Sequence, residues 1–459
     1  MRAGACPGLG ARICRPHPAD RFDPRAVRDP LRIRFVHPFY WPDLAGGGQP
    51  LTDLAEHLAG EGHDVEVVCS RSHSQGEGQD LPALETRGGV RIRRVGSPLQ
   101  ARRRGLAWRG LESAAFHLSA GFRVAVLGDA DVNVTLTTSR FLGLWGRLGQ
   151  GLRGTRHVVW SMDWPFGAEL AQGRSKPRSL VGRWLDVLHA APLREADRVV
   201  ALGDGMAEQL TAKGVPPERL ELIPTWGEGG DPGRAELSAR AMRETRGWGD
   251  RFVVAYSGNA EALSCFHGFL EAAEALESRA PKVLLACFGG GPARPELEAR
   301  VAERGLGNVE FHGAVSREQL EVSLRCADAQ LLFLNPNQTG TAARGELYGA
   351  LASERPVLIA STATGELADT LRAAGAGVAF ELGQTAELTA EIERFAQDRE
   401  RARELGRAGR RAFEQHFERV VCCERWAELF GACELGAGRP LPALAAVPEA
   451  EPEEQARAA

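Results

Sequence analysis

The sequence predicts an α/β protein built from two Rossmann-like domains in tandem. Its 459 residues exceed what one domain usually holds. Short apolar runs alternate with stretches whose apolar residues recur at helical spacing, as a parallel sheet with crossover helices requires. This alternation occurs twice, on either side of a stretch rich in glycine and charge near residues 226–250. Apolar residues make up 43% of the chain, enough for two buried cores.

The first half opens with a strand, a loop, a helix and a second strand. Residues 31–37 (LRIRFVH) and 64–70 (DVEVVCS) are predicted strands, and residues 50–62 between them have helical spacing. The strand pattern returns at VNVTLTT, HVVW, RVVAL and LELIP. We therefore expect an N-terminal domain over 31–228, preceded by a disordered extension over 1–30.

The second half repeats this arrangement after a predicted interdomain linker, 229–250, which has no strand pattern. The segments FVVAYSG, KVLLACFGGG, NVEFHG, AQLLFL and PVLIA are predicted strands of a C-terminal domain over 251–415. Residues 416–435 are predicted to form a helix that packs back on the N-terminal domain. The Pro/Ala/Glu-rich tail, 436–459, is predicted to be disordered.

Charge and cysteine usage exclude several functional classes. A formal charge of −4 provides no basic field for duplex nucleic acid. The nine cysteines show no C-x-x-C pair and no zinc-binding spacing, which favours a reducing compartment. Neither a signal-peptide pattern nor a membrane-spanning apolar run occurs. We therefore expect a cytoplasmic protein without a nucleic-acid partner.

Three glycine-bearing turns each follow a predicted strand and precede a predicted helix. They are Gly46-Gly47-Gly48, Ser257-Gly258-Asn259 and Gly289-Gly290-Gly291. Backbone without side chains can approach a ligand closely, and amides at a helix N-terminus favour an anion. Open parallel sheets bind ligands at this place, beyond the carboxyl ends of their strands. Ordinary tight turns are the alternative, and the spacing does not fit the G-x-G-x-x-G dinucleotide fingerprint.

The order and spacing of these segments resemble family 4 glycosyltransferases, in particular the branch acting in cell-surface polysaccharide biosynthesis. The match spans roughly residues 31–430. It rests on HPFYWPDLAGGGQPLTDLAEHL, ADRVVALGDGMAEQL, VVAYSGNAEALSCFHGFLEAAEAL and GELYGALASERPVLIA. The resemblance implies the GT-B fold, in which two Rossmann-like domains face a central cleft. It also implies retaining transfer of a sugar from a nucleotide-sugar donor to a glycan or lipid-linked acceptor, with no cofactor and no metal.

The resemblance also implies a donor site. The residues that it implicates are Gly47, Gly48, Gly258, Asn259, His267, Gly290 and Glu346. His267 stands where many members carry a lysine that pairs with the donor phosphate, and a histidine can donate a hydrogen bond there. A histidine that caps the start of a helix is the alternative.

Residues 341–358 depart from the family pattern. When Pro356 is aligned, the glutamate that binds the donor ribose in the family falls on Gly349. Glu346 lies one helical turn before Gly349, on the same face, and is therefore our candidate for that role. Glu346 and Glu354 do show the family's literal E-x7-E spacing. We interpret this as a coincidence, because Glu354 is at the turn into the next strand, facing away from the cleft. A solvent-exposed or capping carboxylate is the alternative for Glu346.

Two aspartate motifs lie in the N-terminal half. Asp163, in WSMDWPFGAE, resembles the family's cleft-facing aspartate, and the resemblance implies that it is catalytic and orients an acceptor hydroxyl. A turn aspartate before Trp164-Pro165 is the alternative. Asp129 and Asp131 have the D-x-D spacing of a metal site, but they lie where a loop enters a predicted strand, so we predict a turn.

Segment 101–127 is predicted to form a basic amphipathic helix. Arg102, Arg103 and Arg104 lie close to Trp108 in the sequence, a combination that an anionic membrane surface attracts. Family members that act on lipid-linked acceptors work at such a surface, which here would be the inner face of the plasma membrane. A solvated arginine face over a buried apolar stripe is the alternative.

Two other functions remain open. A sugar-nucleotide 2-epimerase has the same architecture, but it releases sugar and nucleotide and needs no acceptor. A catalytically inactive donor-binding subunit would explain why Gly349 lacks the family's glutamate.

Overall fold

The structure is a computed structural model and describes residues 30–434, except for 45–46, 72–80, 97–105, 128, 140, 163–179, 259, 261–265, 335–340 and 362–364. The predicted disordered ends thus lie almost entirely outside the described residues. Two sheets account for all named strands. The predicted pair of Rossmann-like domains is confirmed.

The N-terminal domain is built on an eight-stranded sheet. Its elements are β1 (Arg32–Val36), α1 (Gly48–Gly60), β2 (Asp64–Ser70), β3 (Leu84–Arg87), β4 (Val90–Val95), α2 (Leu106–Ala125), β5 (Val132–Leu136), α3 (Leu142–Arg153), β6 (Arg156–Trp160), α4 (Leu180–Glu195), β7 (Arg198–Ala201), α5 (Asp204–Ala212) and β8 (Leu220–Leu222). The strand order is β3-β4-β2-β1-β5-β6-β7-β8, and the β3–β4 pair is antiparallel whereas the others are parallel.

The C-terminal domain is built on a six-stranded parallel sheet. Its elements are α6 (Pro232–Thr245), β9 (Phe252–Ser257), α7 (His267–Arg279), β10 (Val283–Phe288), α8 (Arg294–Arg304), β11 (Val309–His312), α9 (Arg317–Arg325), β12 (Ala329–Phe333), α10 (Thr341–Ala352), β13 (Val357–Ser361), α11 (Glu366–Ala374), β14 (Gly377–Glu381), α12 (Thr385–Gln397) and α13 (Arg399–His416). The last described helix, α14 (Arg419–Glu434), follows them. The strand order, β11-β10-β9-β12-β13-β14, is that of a doubly wound sheet, whose winding reverses between β9 and β12.

The predicted linker, 229–250, contains helix α6. The Asp231 side chain caps this helix by accepting hydrogen bonds from the amides of Gly233 and Arg234 at 2.9 and 3.4 Å. Ala239 of α6 is buried in one cluster with Trp248 and the β9 residue Val253. The helix therefore belongs to the C-terminal domain.

Helix α14 lies against the N-terminal domain although it comes last in the sequence. Its apolar residues join the core of the first sheet, where Trp426 packs 4.7 Å from the ring centre of Trp160. Phe430 makes an edge contact with Phe35 of β1. The chain therefore crosses between the domains twice, after β8 and again before α14. Among the described helices, none is long and apolar enough to cross a membrane.

Candidate functional site

The turns after β9 and β10 interlock at the carboxyl edge of the second sheet. The amide of Ala260 donates to the carbonyl of Gly290 at 2.8 Å. A Cβ on Gly289, whose φ is +121°, would overlap the carbonyl oxygen of Gly258. Gly289 is therefore the glycine that this geometry requires, whereas the predicted site residue Gly290 has open space around it. Asn259 lies outside the described residues.

A cavity of about 690 Å³ opens beside these turns. Glu346 and Gly349 of α10 both line it, together with Ser257 at the end of β9. A Cβ on Gly258 would lie 2.8 Å from Glu346 Oε1, so the Glu346 carboxylate covers that turn directly. The structure thus brings the predicted carboxylate, the glycine turn and the position of the missing glutamate together. They meet at the reversal point where doubly wound sheets bind ligands.

The cavity has room for a side chain at position 349. A Cβ there would meet only Leu324 of α9, at an ordinary contact distance of 3.5 Å. The rest of the wall comes from Leu320 and Glu321 of α9 and from residues 227–230 and 418–420. Those two segments are where the chain crosses between domains, so the cavity lies at the domain junction.

Glu354 lies beyond the C-terminal end of α10 and does not line this cavity. It lies two residues after the last helical residue, has a φ of +59°, and places its carboxylate 3.6 Å from the guanidinium of Arg325. The next residues, Arg355 and Pro356, lead into β13 at the amino edge of the sheet. Glu346 and Glu354 therefore lie in different environments, as the alignment on Pro356 predicts.

His267 is the first residue of α7 and does not line the cavity of Glu346. Its side chain is mostly exposed, with Nδ1 3.2 Å from Oε1 of Glu271. It borders a separate cavity of about 270 Å³ with Phe333 and Glu381, at the carboxyl ends of β12 and β14. The two cavities share one edge of the sheet, and the phosphate-binding role of His267 remains a prediction.

In the N-terminal domain, Gly47 and Gly48 form the turn that starts α1. Gly47 has a φ of +92°, and a Cβ there would lie 2.9 Å from Cε of Met162. A Cβ on Gly48 would lie 2.7 Å from the carbonyl oxygen of Asp43, so both positions require glycine. Met162 directly precedes Asp163, which lies outside the described residues. The glycine turn and the chain leading to Asp163 therefore meet at the carboxyl edge of the first sheet.

Arg344, which no sequence pattern identified, joins the two domains. Its guanidinium donates from Nη1 and Nη2 to the Glu366 carboxylate, each at 2.9 Å, and from Nη1 to the carbonyl of Leu202 at 3.3 Å. Burial disfavours its charge, but the Glu366 carboxylate and the Tyr348 hydroxyl together more than offset this and hold the pKa of Arg344 above its ordinary value. Leu202 follows β7, so the carboxyl edges of the two sheets face each other here. We call Arg344, Glu366 and the Leu202-Gly203 backbone the interdomain clasp.

The clasp depends on a glycine on its N-terminal side. A Cβ on Gly203 would overlap the Glu366 carboxylate, and one on Gly205 would lie 3.1 Å from it. Sequence reasoning missed this contact because its partners, Leu202 and Arg344, are 142 residues apart.

Asp129 and Asp131, which have the D-x-D spacing of a metal site, each form an ion pair with an arginine. Asp131 accepts from Arg32 at 2.8 Å, and this hydrogen bond holds the pKa of Asp131 below its ordinary value. Asp129 lies 2.7 Å from Arg34. In the described part of the chain, no group of three or more His, Cys, Asp or Glu residues could hold a metal ion. Metal independence itself remains a prediction.

Two family models match the chain in sequence order. The Glycosyl transferase 4-like domain matches residues 45–226, and Glycosyl transferases group 1 matches residues 239–412. The chain is 24% identical over 340 residues to the putative colanic acid biosynthesis glycosyl transferase WcaI of Escherichia coli (strain K12). That alignment covers 72% of this chain and 83% of WcaI.

Solved structures show the same fold at low sequence identity. Sucrose-phosphate synthase from Thermosynechococcus elongatus has a TM-score of 0.64 at 20% identity, covering 89% of this chain and 99% of that one. HepE from Anabaena, solved in complex with UDP, has a TM-score of 0.63 at 16% identity, covering 88% of this chain and 100% of that one.

Proposed function

Because the chain belongs to the family 4 glycosyltransferases of the GT-B fold, we propose that it transfers a sugar from a nucleotide-sugar donor to a glycan or lipid-linked acceptor. The observation that carries the proposal is the cavity beside Gly258, lined by Glu346 and Gly349 in the domain that matches group 1. A nucleoside diphosphate is the ligand of the HepE structure, which supports the same donor chemistry here. The WcaI relative supports a role in cell-surface polysaccharide synthesis.

In the proposed reaction, Glu346 binds the donor ribose and the glycine turns hold the diphosphate. Helix α10 runs from the carboxyl edge to the amino edge of the sheet, so its positive N-terminal end lies on the side of the departing diphosphate. Asp163 orients the acceptor hydroxyl. The acceptor attacks the face of the sugar from which the diphosphate departs, and the diphosphate takes the acceptor's proton. The anomeric configuration is therefore retained without a protein nucleophile or a metal.

We further propose that α2 and α3 rest on an anionic membrane surface, where a lipid-linked acceptor would be found. Leu111, Leu118 and Phe122 of α2 and Leu152 of α3 are each more than half exposed. These helices pack tightly, since a Cβ on Gly121 of α2 would overlap a ring of α3. Arg102, Arg103 and Arg104 lie outside the described residues, directly before α2, and supply the positive charge.

The donor half of the proposal predicts that UDP stabilises the protein in the presence of EDTA. A ligand at one hundred times its Kd adds about 2.7 kcal/mol to the free energy of unfolding, because it binds only the native state. Thermal unfolding with and without UDP, in EDTA and in magnesium, measures this. Stabilisation that requires magnesium or manganese would contradict metal-independent binding.

The predicted contact between His267 and the diphosphate can be tested with a variant and a matched control. His267→Ala should lower UDP affinity by about 1–2 kcal/mol if His267 makes a charge-assisted bond to phosphate. His57→Ala, on α1 of the other domain, should leave the affinity unchanged. Equal affinities for both variants would remove His267 from the site.

Turnover distinguishes the rival functions. A transferase consumes donor only with an acceptor, whereas a 2-epimerase releases free sugar without one. An inactive donor-binding subunit, which the glycine at position 349 favours, would bind UDP and release no product from any donor.

A further inference from the structure

A second large groove lies at the amino edge of the C-terminal sheet. We call the cavity lined by Glu346 and Gly349 the donor cavity, after its proposed ligand. The groove holds about 740 Å³, and its walls include Phe252 at the start of β9, Ala327 before β12 and Pro356 before β13. Its charged lining comprises Arg240, Arg243, Arg325, Arg355, Arg399, Arg403 and Arg407 with Glu236, Asp328 and Glu354. Seven guanidinium groups thus face three carboxylates. We call this the arginine groove.

The three carboxylates are each paired with an inner arginine. The pairs are Arg325–Glu354 at 3.6 Å, Arg355–Glu236 at 2.8 Å and Arg243–Asp328 at 2.9 Å. These arginines also donate to backbone carbonyls, for example Arg325 to Ala352 and Arg243 to Cys326. The inner part of the groove is therefore electrically balanced and internally hydrogen-bonded.

The outer rim carries four arginines without carboxylates of their own. Arg403 and Arg407 of α13 share Glu400. Arg240 and Arg399 lie 3.6 and 3.8 Å from carboxylates that already bind inner arginines. The side chains of these four are 38–70% exposed. The rim is therefore the positively charged part of the groove, and it faces solvent.

We propose that the arginine groove binds a small ligand bearing two or more phosphoryl groups. Guanidinium groups match phosphate oxygens in geometry as well as charge, and several converging ones favour a ligand with more than one phosphate. The volume falls in the range of small-ligand sites, and the Phe252 ring, 5.6 Å below the Arg399 guanidinium, adds an apolar floor. A flat bilayer cannot enter a concave groove, so its shape favours a soluble ligand.

The groove and the donor cavity are separate sites with one shared wall. Arg325 lies between them, because it also pairs at 3.2 Å with Glu321, which lines the donor cavity. A phosphorylated probe could enter either site, so the experiment must assign binding to one of them.

Pyrophosphate is the probe, titrated calorimetrically into the full chain at about 0.15 M salt, where diffuse surface attraction is screened. Arg403→Gln/Arg407→Gln should weaken one pyrophosphate site at least about tenfold and change UDP affinity less than about twofold. Arg300→Gln/Arg304→Gln on α8 is the matched control, an exposed pair at the same helical spacing. It should retain the affinities for pyrophosphate and for UDP.

Hydrogen exchange on the unmodified protein gives a readout that needs no variant. Pyrophosphate should protect the first two turns of α13 in addition to any protection near α10. Unchanged pyrophosphate binding in Arg403→Gln/Arg407→Gln, or protection confined to α10, would overturn the proposal. Loss of anionic-vesicle binding in this variant, with no pyrophosphate site in the unmodified chain, would assign the arginines to a membrane instead.

Discussion

The ribose-binding role proposed for Glu346 is that of a glutamate that this chain lacks one helical turn later, at Gly349. The Glu346 carboxylate and the backbone of Gly349 border the same cavity, whereas Glu354 lies beyond the C-terminal end of α10. Glu346→Gln should therefore weaken UDP binding by about 2–3 kcal/mol, the value of a carboxylate that binds two hydroxyl groups. Glu354→Gln should change UDP affinity by about half a kcal/mol or less. Isothermal titration with UDP measures both.

A third substitution tests the register of α10 directly. Gly349→Glu should fit, since a Cβ there meets only Leu324 at 3.5 Å, and should restore part of the affinity lost in Glu346→Gln. If Glu346→Gln and Glu354→Gln lose UDP affinity equally, and Gly349→Glu restores none, then Glu346 and Glu354 both bind the donor, as the literal E-x7-E spacing implies.

Glu354 also occupies a backbone conformation that suits glycine. At φ +59° it follows the C-terminus of α10, where the left-handed conformation costs an L-residue about 1 kcal/mol. Glu354→Gly and Glu354→Gln both remove the negative charge beside Arg325, but only glycine also removes the backbone cost. We therefore expect Glu354→Gly to be more stable than Glu354→Gln by about 1 kcal/mol in urea unfolding. Equal stabilities would show that the turn is not strained.

The sequence, together with the family resemblance, could point to the candidate site residues that depend on local spacing. The turn containing Gly258 follows a buried strand, and Glu346 shares a helical face with Gly349, so both followed from the pattern. Arg344 and Gly203 did not, because an arginine in a helix and a glycine in a turn become special only through partners in the other domain. Gly289, rather than Gly290, could be chosen only once the carbonyl of Gly258 was located beside it.

Among the elements, buried parallel strands were the most predictable, because a short continuous apolar run between turn residues is typical of a strand covered on both faces. The β3–β4 hairpin was missed, since β3 is a short edge strand and charged residues interrupt the apolar pattern of both strands. Its signal was the pair Gly88-Gly89, which has positive φ at both positions and closes a two-residue turn. Helix α6 was missed because glycine and charge suggested a linker, whereas Asp231 followed by Pro232 is a helix start.

Helix α2 presents its apolar residues to solvent as well as to the core. Leu118 and Phe122 are one turn apart and exposed, while Phe116 and Ala120 on the other face are buried. If the exposed side enters a bilayer interface, Leu118→Glu/Phe122→Glu should reduce partition onto anionic vesicles at least about tenfold, because each side chain contributes about 1.5 kcal/mol or more on burial. Vesicle sedimentation at low salt measures this.

The matched control is Leu237→Glu on α6, where a leucine of similar exposure lies on the other domain. It should leave partition unchanged. High salt should release the unmodified protein, and glutamates at Arg102, Arg103 and Arg104 should abolish binding. If the unmodified protein does not bind anionic vesicles at low salt, the proposed membrane contact of α2 is wrong.

Across the whole molecule, the two sheets meet edge to edge, and the interdomain clasp spans the junction at a buried point. Arg344 is 5% exposed and lies on the same helix as Glu346, two residues before it. Any rotation that separates the domains must break its hydrogen bond to Leu202, and the position of α10 in the cleft depends on Glu366. The clasp thus links the domain arrangement to α10, the helix that carries the proposed donor-binding residue Glu346. Excluding water from the cleft requires such an arrangement.

Weakening the clasp should therefore lower turnover more than donor binding. Arg344→Lys keeps the charge but cannot hold both oxygens of Glu366 and the Leu202 carbonyl, so we expect a loss of about 2 kcal/mol, roughly thirtyfold in kcat. UDP affinity should change less than about threefold, because Ser257, Glu346 and Gly349, which line the proposed donor cavity, all belong to the C-terminal domain. Arg372→Lys, an exposed arginine on α11, is the control and should be silent.

Gly203→Ala tests the same contact from the other domain, because its added methyl group would displace the Glu366 carboxylate while its backbone, at φ 176°, accepts any residue. It should reproduce the kcat loss of Arg344→Lys, and both should increase the radius of gyration in small-angle scattering. Since the two substitutions break one contact, the double variant should lose little more than either alone. Additive losses, or a parallel fall in UDP affinity with no change in radius, would mean that Arg344 supports only the packing of its own domain.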